Sequence, residues 1–372
     1  MILYNSLTRK LQEFIPFKRN RVSMYVCGIT PYDTTHLGHA FTYVWFDVLV
    51  RHLKFKGYKV TYTQNVTDIN DRDNDILKKA KEQSVPWQKL GNYWTKKFLM
   101  DMKDLNWTMP DNYIKASKNI KPIIHLIQKL IDNGYAYSKN GSVYFDIKQK
   151  KDYGKLSNLS EAEMLKIAKE SEEDIENPDK KNPLDFTLWR SSSVNQSAHI
   201  PSFESPFGLG RPGWHIECSS MSTSTLGDQI DIHGGGVDLI YPHHEAEIAQ
   251  SEGATLKTPF VRHWMHTGLV SYQGKKMAKS LGNLVMVSDL KKKFSANAIR
   301  FVLLSHHYRK PWEFKEGELR HAETYLKSLK NIKDESSDIS KFTEFMDNDL
   351  RADLVLKNIK SKKLLKILGF IL

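Results

Sequence analysis

Two short segments hold many of the side chains able to do polar chemistry. His36-Leu37-Gly38-His39 stands where a polar turn containing Pro31 and Asp33 gives way to apolar residues at helical spacing, Phe41, Trp45, Val48 and Leu49. Backbone N–H groups at a helix start, together with the helix dipole, favour an anion. Two imidazoles and a glycine there suit the phosphates of a nucleotide while letting its base approach the backbone. Far downstream, Gly274-Lys275-Lys276-Met277-Ala278-Lys279-Ser280-Leu281-Gly282-Asn283 sets lysines on a glycine-bounded loop. Each motif alone is weak, because a His-x-Gly-His is usually incidental and a lysine-rich loop is usually a solvated surface. The chain has two cysteines, Cys27 and Cys218, too far apart for a compact Cys-x-x-Cys site. In a reducing compartment they are either two buried inert thiols or two ligands or nucleophiles.

The elements that must position these residues read as α/β. Ser23-Met24-Tyr25-Val26-Cys27 is a short buried strand followed by Gly28, the polar turn and the helix beginning near Leu37. Residues 59–66 have the β-branched and aromatic content of a second strand, so a β-α-β unit and a parallel sheet are expected, with ligands beyond the strands' carboxyl ends. Strand-like patterns return at 229–233 and 263–266. Between the two halves lie helical stretches such as 123–131, a hairpin-like Gly141-Ser142-Val143-Tyr144-Phe145 and the charged run 161–181. The expected organisation is a Rossmann-like parallel-sheet catalytic domain, residues 1–94 and 202–288, interrupted by an inserted domain at 95–201. A helical region at 289–330 and a short basic helical tail at 331–372 follow. The stretch 357–372, basic and amphipathic, is expected to pack on the preceding helices.

With 372 residues, 40% hydrophobic and 26% charged, the chain is long enough for a large core and two or three domains. It has no run of eighteen apolar residues, and Met1-Ile2-Leu3-Tyr4-Asn5-Ser6-Leu7 lacks the basic start and apolar stretch of a signal peptide, so a cytoplasmic protein without membrane contact is expected. The net charge of +12 draws the molecule toward polyanions, nucleic acid first. The competing reading is a lysine-rich coding bias.

Taken together, in this order and on this sheet pattern, the two motifs resemble the HIGH and KMSKS signatures of class I aminoacyl-tRNA synthetases. Cys27-Gly28-Ile29-Thr30-Pro31-Tyr32-Asp33, Gly213-Trp214-His215-Ile216-Glu217-Cys218, His233-Gly234-Gly235-Gly236 and Pro242-His243-His244-Glu245-Ala246-Glu247 are similar to the cysteine-activating branch, the cysteinyl-tRNA synthetases and the related mycothiol-pathway cysteine ligase. The resemblance covers roughly residues 1–330. It implies one zinc ion per chain held by Cys27, Cys218, His243 and Glu247. His243 and Glu247 are four apart and share one helix face, and the sulfur, nitrogen and oxygen donors suit zinc. Such an ion would bind the substrate thiol and select cysteine over serine without editing.

By the same resemblance, His36, His39, Lys276 and Lys279 carry catalysis, while Gly28, Thr30, Gly38 and Lys279 belong to the substrate and nucleotide site. Thr67 and Trp214 line the cysteine pocket, and His233, Gly234, Gly235, Gly236 and Asp238 meet the adenosine. On residue type alone Trp214 is equally a core aromatic. The substrates implied are L-cysteine, ATP with Mg2+, and tRNA(Cys), acted on by a monomer. Cysteine attacks the α-phosphate, and the cysteinyl group then passes to the acceptor, with no side chain identifying itself as base for that second step. Two departures stand out: Ala278 replaces a serine of the lysine loop, and no full anticodon-binding domain is evident. Thr30-Pro31-Tyr32-Asp33-Thr34-Thr35-His36-Leu37-Gly38-His39 and Ser305-His306-His307-Tyr308-Arg309 look rather like the mycothiol ligase, which makes an amino-sugar inositol the alternative acceptor. The positive charge, Lys360, Lys362, Lys363 and Lys366 in the tail, and an acidic loop at Glu172-Glu173 unlike that ligase's glycine pair favour tRNA. The intact histidines, lysines and ligand set argue against a catalytically idle relative.

Overall fold

Arg21–Ile29 (β1) is buried along most of its length, as the central strand of a parallel sheet covered on both faces must be. In the computed structural model, which describes residues 1–32, 35–72, 75–171, 173–192, 200–277, 281–329, 338–358 and 361–372, it leads into the helix Leu37–Phe55 (α1). That helix is buried on most of its circumference and returns the chain to Lys59–Val66 (β2), which pairs parallel to β1. Helix Trp87–Asp104 (α2) then precedes Asn112–Lys115 (β3), and Ile230–Gly236 (β4) and Val261–Thr267 (β5) complete a five-stranded parallel sheet in the order β5-β4-β1-β2-β3. From β1 the chain builds outward through β2 and β3, then restarts on the other side with β4. The crevice of such a sheet opens where that order reverses, between the carboxyl ends of β1 and β4.

The seams of the insertion differ from those expected. Position 94/95 falls inside α2, and β3 belongs to the parallel sheet, so the catalytic sheet extends to residue 115. At the other side, Gly210–Pro212 is the edge strand of an antiparallel sheet with Phe186–Ser191, Ser142–Phe145 and Ala136–Lys139, so the insertion runs on to about residue 212. Helix Ile120–Asp132 (α3) turns Ile123, Leu126, Ile127 and Leu130 inward. These residues form one apolar cluster with Ile216 of Trp214–Leu226 (α4) and Ala246 and Ala249 of Glu245–Thr255 (α5). The insertion is thereby packed onto the two helices that carry the candidate ligands.

Beyond the lysine loop the described chain is mainly helical. Arg300, on Ala296–Ser305 (α6), is 1% exposed. It pairs with the buried Asp47 of α1 and donates to the carbonyls of Leu105 and Leu368, each at 2.7 Å. The short helix Lys362–Ile367 is amphipathic: Leu364 and Leu365 are buried, as are Leu368 and Phe370 beyond it, while Lys363 and Lys366 face outward. Lys360 lies outside the described residues. The tail is therefore part of the core as well as a basic surface. Removing residues 357–372 is expected to cost about 6 kcal/mol or more in lost burial alone, comparable to a domain's whole stability, and to abolish the cooperative thermal transition read by circular dichroism. A truncated chain melting at the wild-type temperature would contradict this packing. Among the described residues no helix is long and apolar enough to cross a membrane.

Candidate active site

The start of α1 is built by His36. Its backbone is extended, and its ring Nδ1 accepts from the N–H groups of Gly38 and His39 at 3.1 and 3.4 Å, so the ring caps the helix. Accepting at Nδ1 places the imidazole proton on Nε2. His39 stacks on the same ring, centroids 3.7 Å apart. Gly38 leaves room for this arrangement: a Cβ there would stand 3.0 Å from the His36 ring, which would have to shift by a few tenths of an ångström. Gly28, at the end of β1, is more constrained: a Cβ would lie 1.6 Å from the Asn65 carbonyl oxygen. Its N–H donates to Asn65 Oδ1 at 2.7 Å.

The second motif is joined to the first through backbone. Leu37 N–H donates to the Val285 carbonyl and Val287 N–H to that of Thr35, at 2.8 and 2.9 Å. The segment after the lysine loop thus runs beside the helix start. Lys275–Lys276 pairs with the strand Val270–Tyr272, and Lys276 Nζ lies 3.2 Å from Asp238 Oδ2 with both side chains half exposed. Such a pair is worth under about 1 kcal/mol, so a phosphate can replace the carboxylate at little cost. Ala278, Lys279 and Ser280 lie outside the described residues.

A cavity of about 560 Å³ takes in both the helix start and a sulfur–imidazole cluster. Of the expected site residues, Cys27, Gly28, Thr30, His36, Gly38, His39, Thr67, Trp214, Cys218, Gly236, Asp238, His243 and Lys276 line it. Gly234 and Gly235 do not. A Cβ at Gly234 would meet the Met265 carbonyl oxygen and the Phe46 ring at 2.3 Å, and one at Gly235 would meet Leu239 at 2.8 Å. At both positions the neighbouring strand, α1 and the turn after β4 leave no room for a side chain. His233 does not line the cavity either: it is fully buried, and its Nε2 lies 2.8 Å from Glu247 Oε2.

The donor atoms of Cys27, Cys218, His243 and Glu247 all lie within 4.8 Å of one another. Helical spacing brings His243 Nε2 to 3.2 Å from Glu247 Oε1, and Cys27 Sγ is 3.4 Å from the same oxygen. An overlapping set, Cys27, His233, His244 and Glu247, also converges within 4.8 Å. The first set is the better seat for a metal that meets substrate, because Cys27, Cys218 and His243 line the cavity whereas His233 and His244 do not. His244 Nδ1 is engaged by His266 at 2.7 Å, and His215 holds His243, Nδ1 to Nδ1, at 2.9 Å. Burial pushes the Cys27 thiol and the Glu247 carboxyl up and the His243 imidazole down. His215, His233 and His266 are pushed down to about 3 by the same cause. Uncompensated charge of either sign is disfavoured here, and a divalent cation would compensate the thiolates and carboxylate together. The buried soft and borderline donors fit zinc.

Sequence reasoning missed His215, His244 and His266, which meet the cluster from three different elements and share no periodicity. Trp214 is only partly buried and stacks on His243, centroids 4.2 Å apart, which separates it from a core aromatic.

Residues 13–324 match the family model described as "tRNA synthetases class I (C) catalytic domain". A cysteine–tRNA ligase of Dehalococcoides mccartyi is 43% identical over 372 aligned positions, covering 96% of this chain and 79% of that protein. One from Thermococcus onnurineus is 47% identical over 330, covering 88% and 67%. Among solved structures, methionyl-tRNA synthetase of Mycobacterium tuberculosis in complex with methionyl-adenylate superposes with a TM-score of 0.66, at 15% identity, over 94% of this chain and 82% of that one. At that identity it speaks for the fold alone. The signature helix start, the parallel sheet and these alignments agree, and the chain belongs to the cysteine–tRNA ligase family of class I aminoacyl-tRNA synthetases.

Proposed function

We propose that the cavity activates L-cysteine with ATP and that the cysteinyl group is then transferred to tRNA(Cys). The observation that carries this reading is the meeting, in one cavity at the switch point of the sheet, of a helix start bearing His36 and His39 and a converging set of sulfur, nitrogen and oxygen donors. In the first step a cysteine carboxylate oxygen attacks the α-phosphorus as the bond to the β-phosphate oxygen breaks, and pyrophosphate leaves. His36 through Nε2–H and His39 meet the developing charge from one side, with the positive end of the α1 dipole behind them. Lys276 exchanges Asp238 for phosphate, and Lys279 acts from the loop. In the second step a tRNA hydroxyl oxygen attacks the acyl carbon, and AMP leaves with the bonding pair.

Cys27, Cys218, His243 and Glu247 would hold zinc. Zinc held by these four residues would supply a site that favours a thiolate over an alcohol, which would distinguish cysteine from serine. Thr67 and Trp214 give the rest of that wall. Relatives named for tRNA, aligned over 96% of the chain, and the net charge of +12 support tRNA over an amino sugar as acceptor.

Cysteine-dependent exchange of pyrophosphate into ATP tests the first step. Exchange should proceed with cysteine and not with serine, and Lys279→Ala should slow it by about two powers of ten with cysteine affinity little changed. Equal exchange with both amino acids would overturn the reading.

A further inference from the structure

Five side chains close a ring behind the amino-acid wall of the cavity. The Arg72 guanidinium lies 4.3 Å over the Trp214 indole, and that indole stacks on His243. His243 Nδ1 meets His215 Nδ1 at 2.9 Å. His215 Nε2 lies 3.8 Å from Glu173 Oε1, and the same oxygen pairs with Arg72. Glu173 is the one member supplied by the insertion. The loop bearing Arg72 is held by the insertion elsewhere too: Arg190 and Arg211 both donate to the Asp71 carbonyl, while the Asp71 carboxylate accepts from Trp214 N–H at 2.9 Å.

The hydrogen-bond roles around this ring are linked. For His243 to present an unprotonated Nε2 toward Glu247, its proton must sit on Nδ1 and be donated to His215 Nδ1. The His215 proton then sits on Nε2, facing the Glu173 carboxylate. A negative charge at Glu173 favours that tautomer pair and, through the cation–π contact of Arg72, fixes the indole.

We propose that Glu173 is a positioning residue for cysteine binding, through which the inserted region sets the wall formed by Trp214 and His243. The inference rests on the cysteine-activating function proposed above. Arg72 and Glu173 are partly buried, at 28% and 19% exposure, so their ion pair is not a fully solvated surface contact.

Glu173→Gln keeps the side-chain shape and removes the charge. In pyrophosphate exchange it should raise the KM for cysteine about fivefold to tenfold, while the KM for ATP stays within about twofold and the melting temperature is unchanged. Zinc should pass to a chelator several times faster than from the wild type, a readout independent of turnover. Arg72→Gln should act likewise, and the double variant should be no worse than the more affected single one, the signature of coupled residues. A Glu173→Gln protein with wild-type KM for cysteine and wild-type zinc retention would overturn the positioning role. So would equal rises in both KM values with a lowered melting temperature. A wild-type protein that shows no cysteine-dependent exchange would instead overturn the functional reading itself.

Discussion

Cys218→Ser is expected to lose its zinc and, with it, about two to three powers of ten in cysteine activation, the scale of removing one preorganised partner of the reacting substrate. Cys218 is 1% exposed on α4, and its sulfur is one of four donors gathered within 4.8 Å. Serine occupies nearly the same volume, so the helix and its packing on α3 and α5 should survive. The hydroxyl, however, is a poor partner for zinc at neutral pH. Metal analysis should fall from about one ion per chain toward none, while ATP binding, proposed for the start of α1, should change little. A variant that keeps both its metal and its full rate would show that the cysteines are merely buried thiols.

His36→Asn separates the capping role seen for this ring from the catalytic role proposed for it. Asparagine is a good helix cap, so its side-chain oxygen can accept from the Gly38 and His39 N–H groups as Nδ1 does. It lacks a donor at the place of Nε2. Stability should therefore hold while kcat/KM for ATP in pyrophosphate exchange falls by about two powers of ten. His36→Ala should add a loss of about 1 kcal/mol in thermal stability from the missing cap. Full activity in the asparagine variant would confine His36 to capping.

The strand, turn and helix around Cys27 and His36 were legible because apolar runs and helical spacing are local signals. The edge strand Asn112–Lys115 gave no such signal: it is four residues long, half-buried and polar at both ends, so the insertion was expected to begin too early. Four-residue spacing revealed that His243 and Glu247 meet. No local pattern could show that His215, His233, His244 and His266 gather around them, because strand pairing and helix packing bring those rings together across the sheet. His233 was read with the glycines that follow it, and its partner Glu247, fourteen residues on, gave no local signal. The cap role of His36 went unread because such caps are commonly Ser, Thr, Asp or Asn.

In the function proposed, one cavity makes cysteinyl-adenylate and delivers its acyl group to tRNA. The most direct measurement incubates the purified protein with ATP, labelled cysteine and either tRNA(Cys) or glucosaminyl-inositol, and follows acid-stable label on each acceptor. Label should appear on tRNA, dependent on ATP, declining as salt is raised because each neutralised phosphate releases counterions on binding, and should be absent from the sugar. Label on the sugar with none on tRNA at any salt concentration would contradict it.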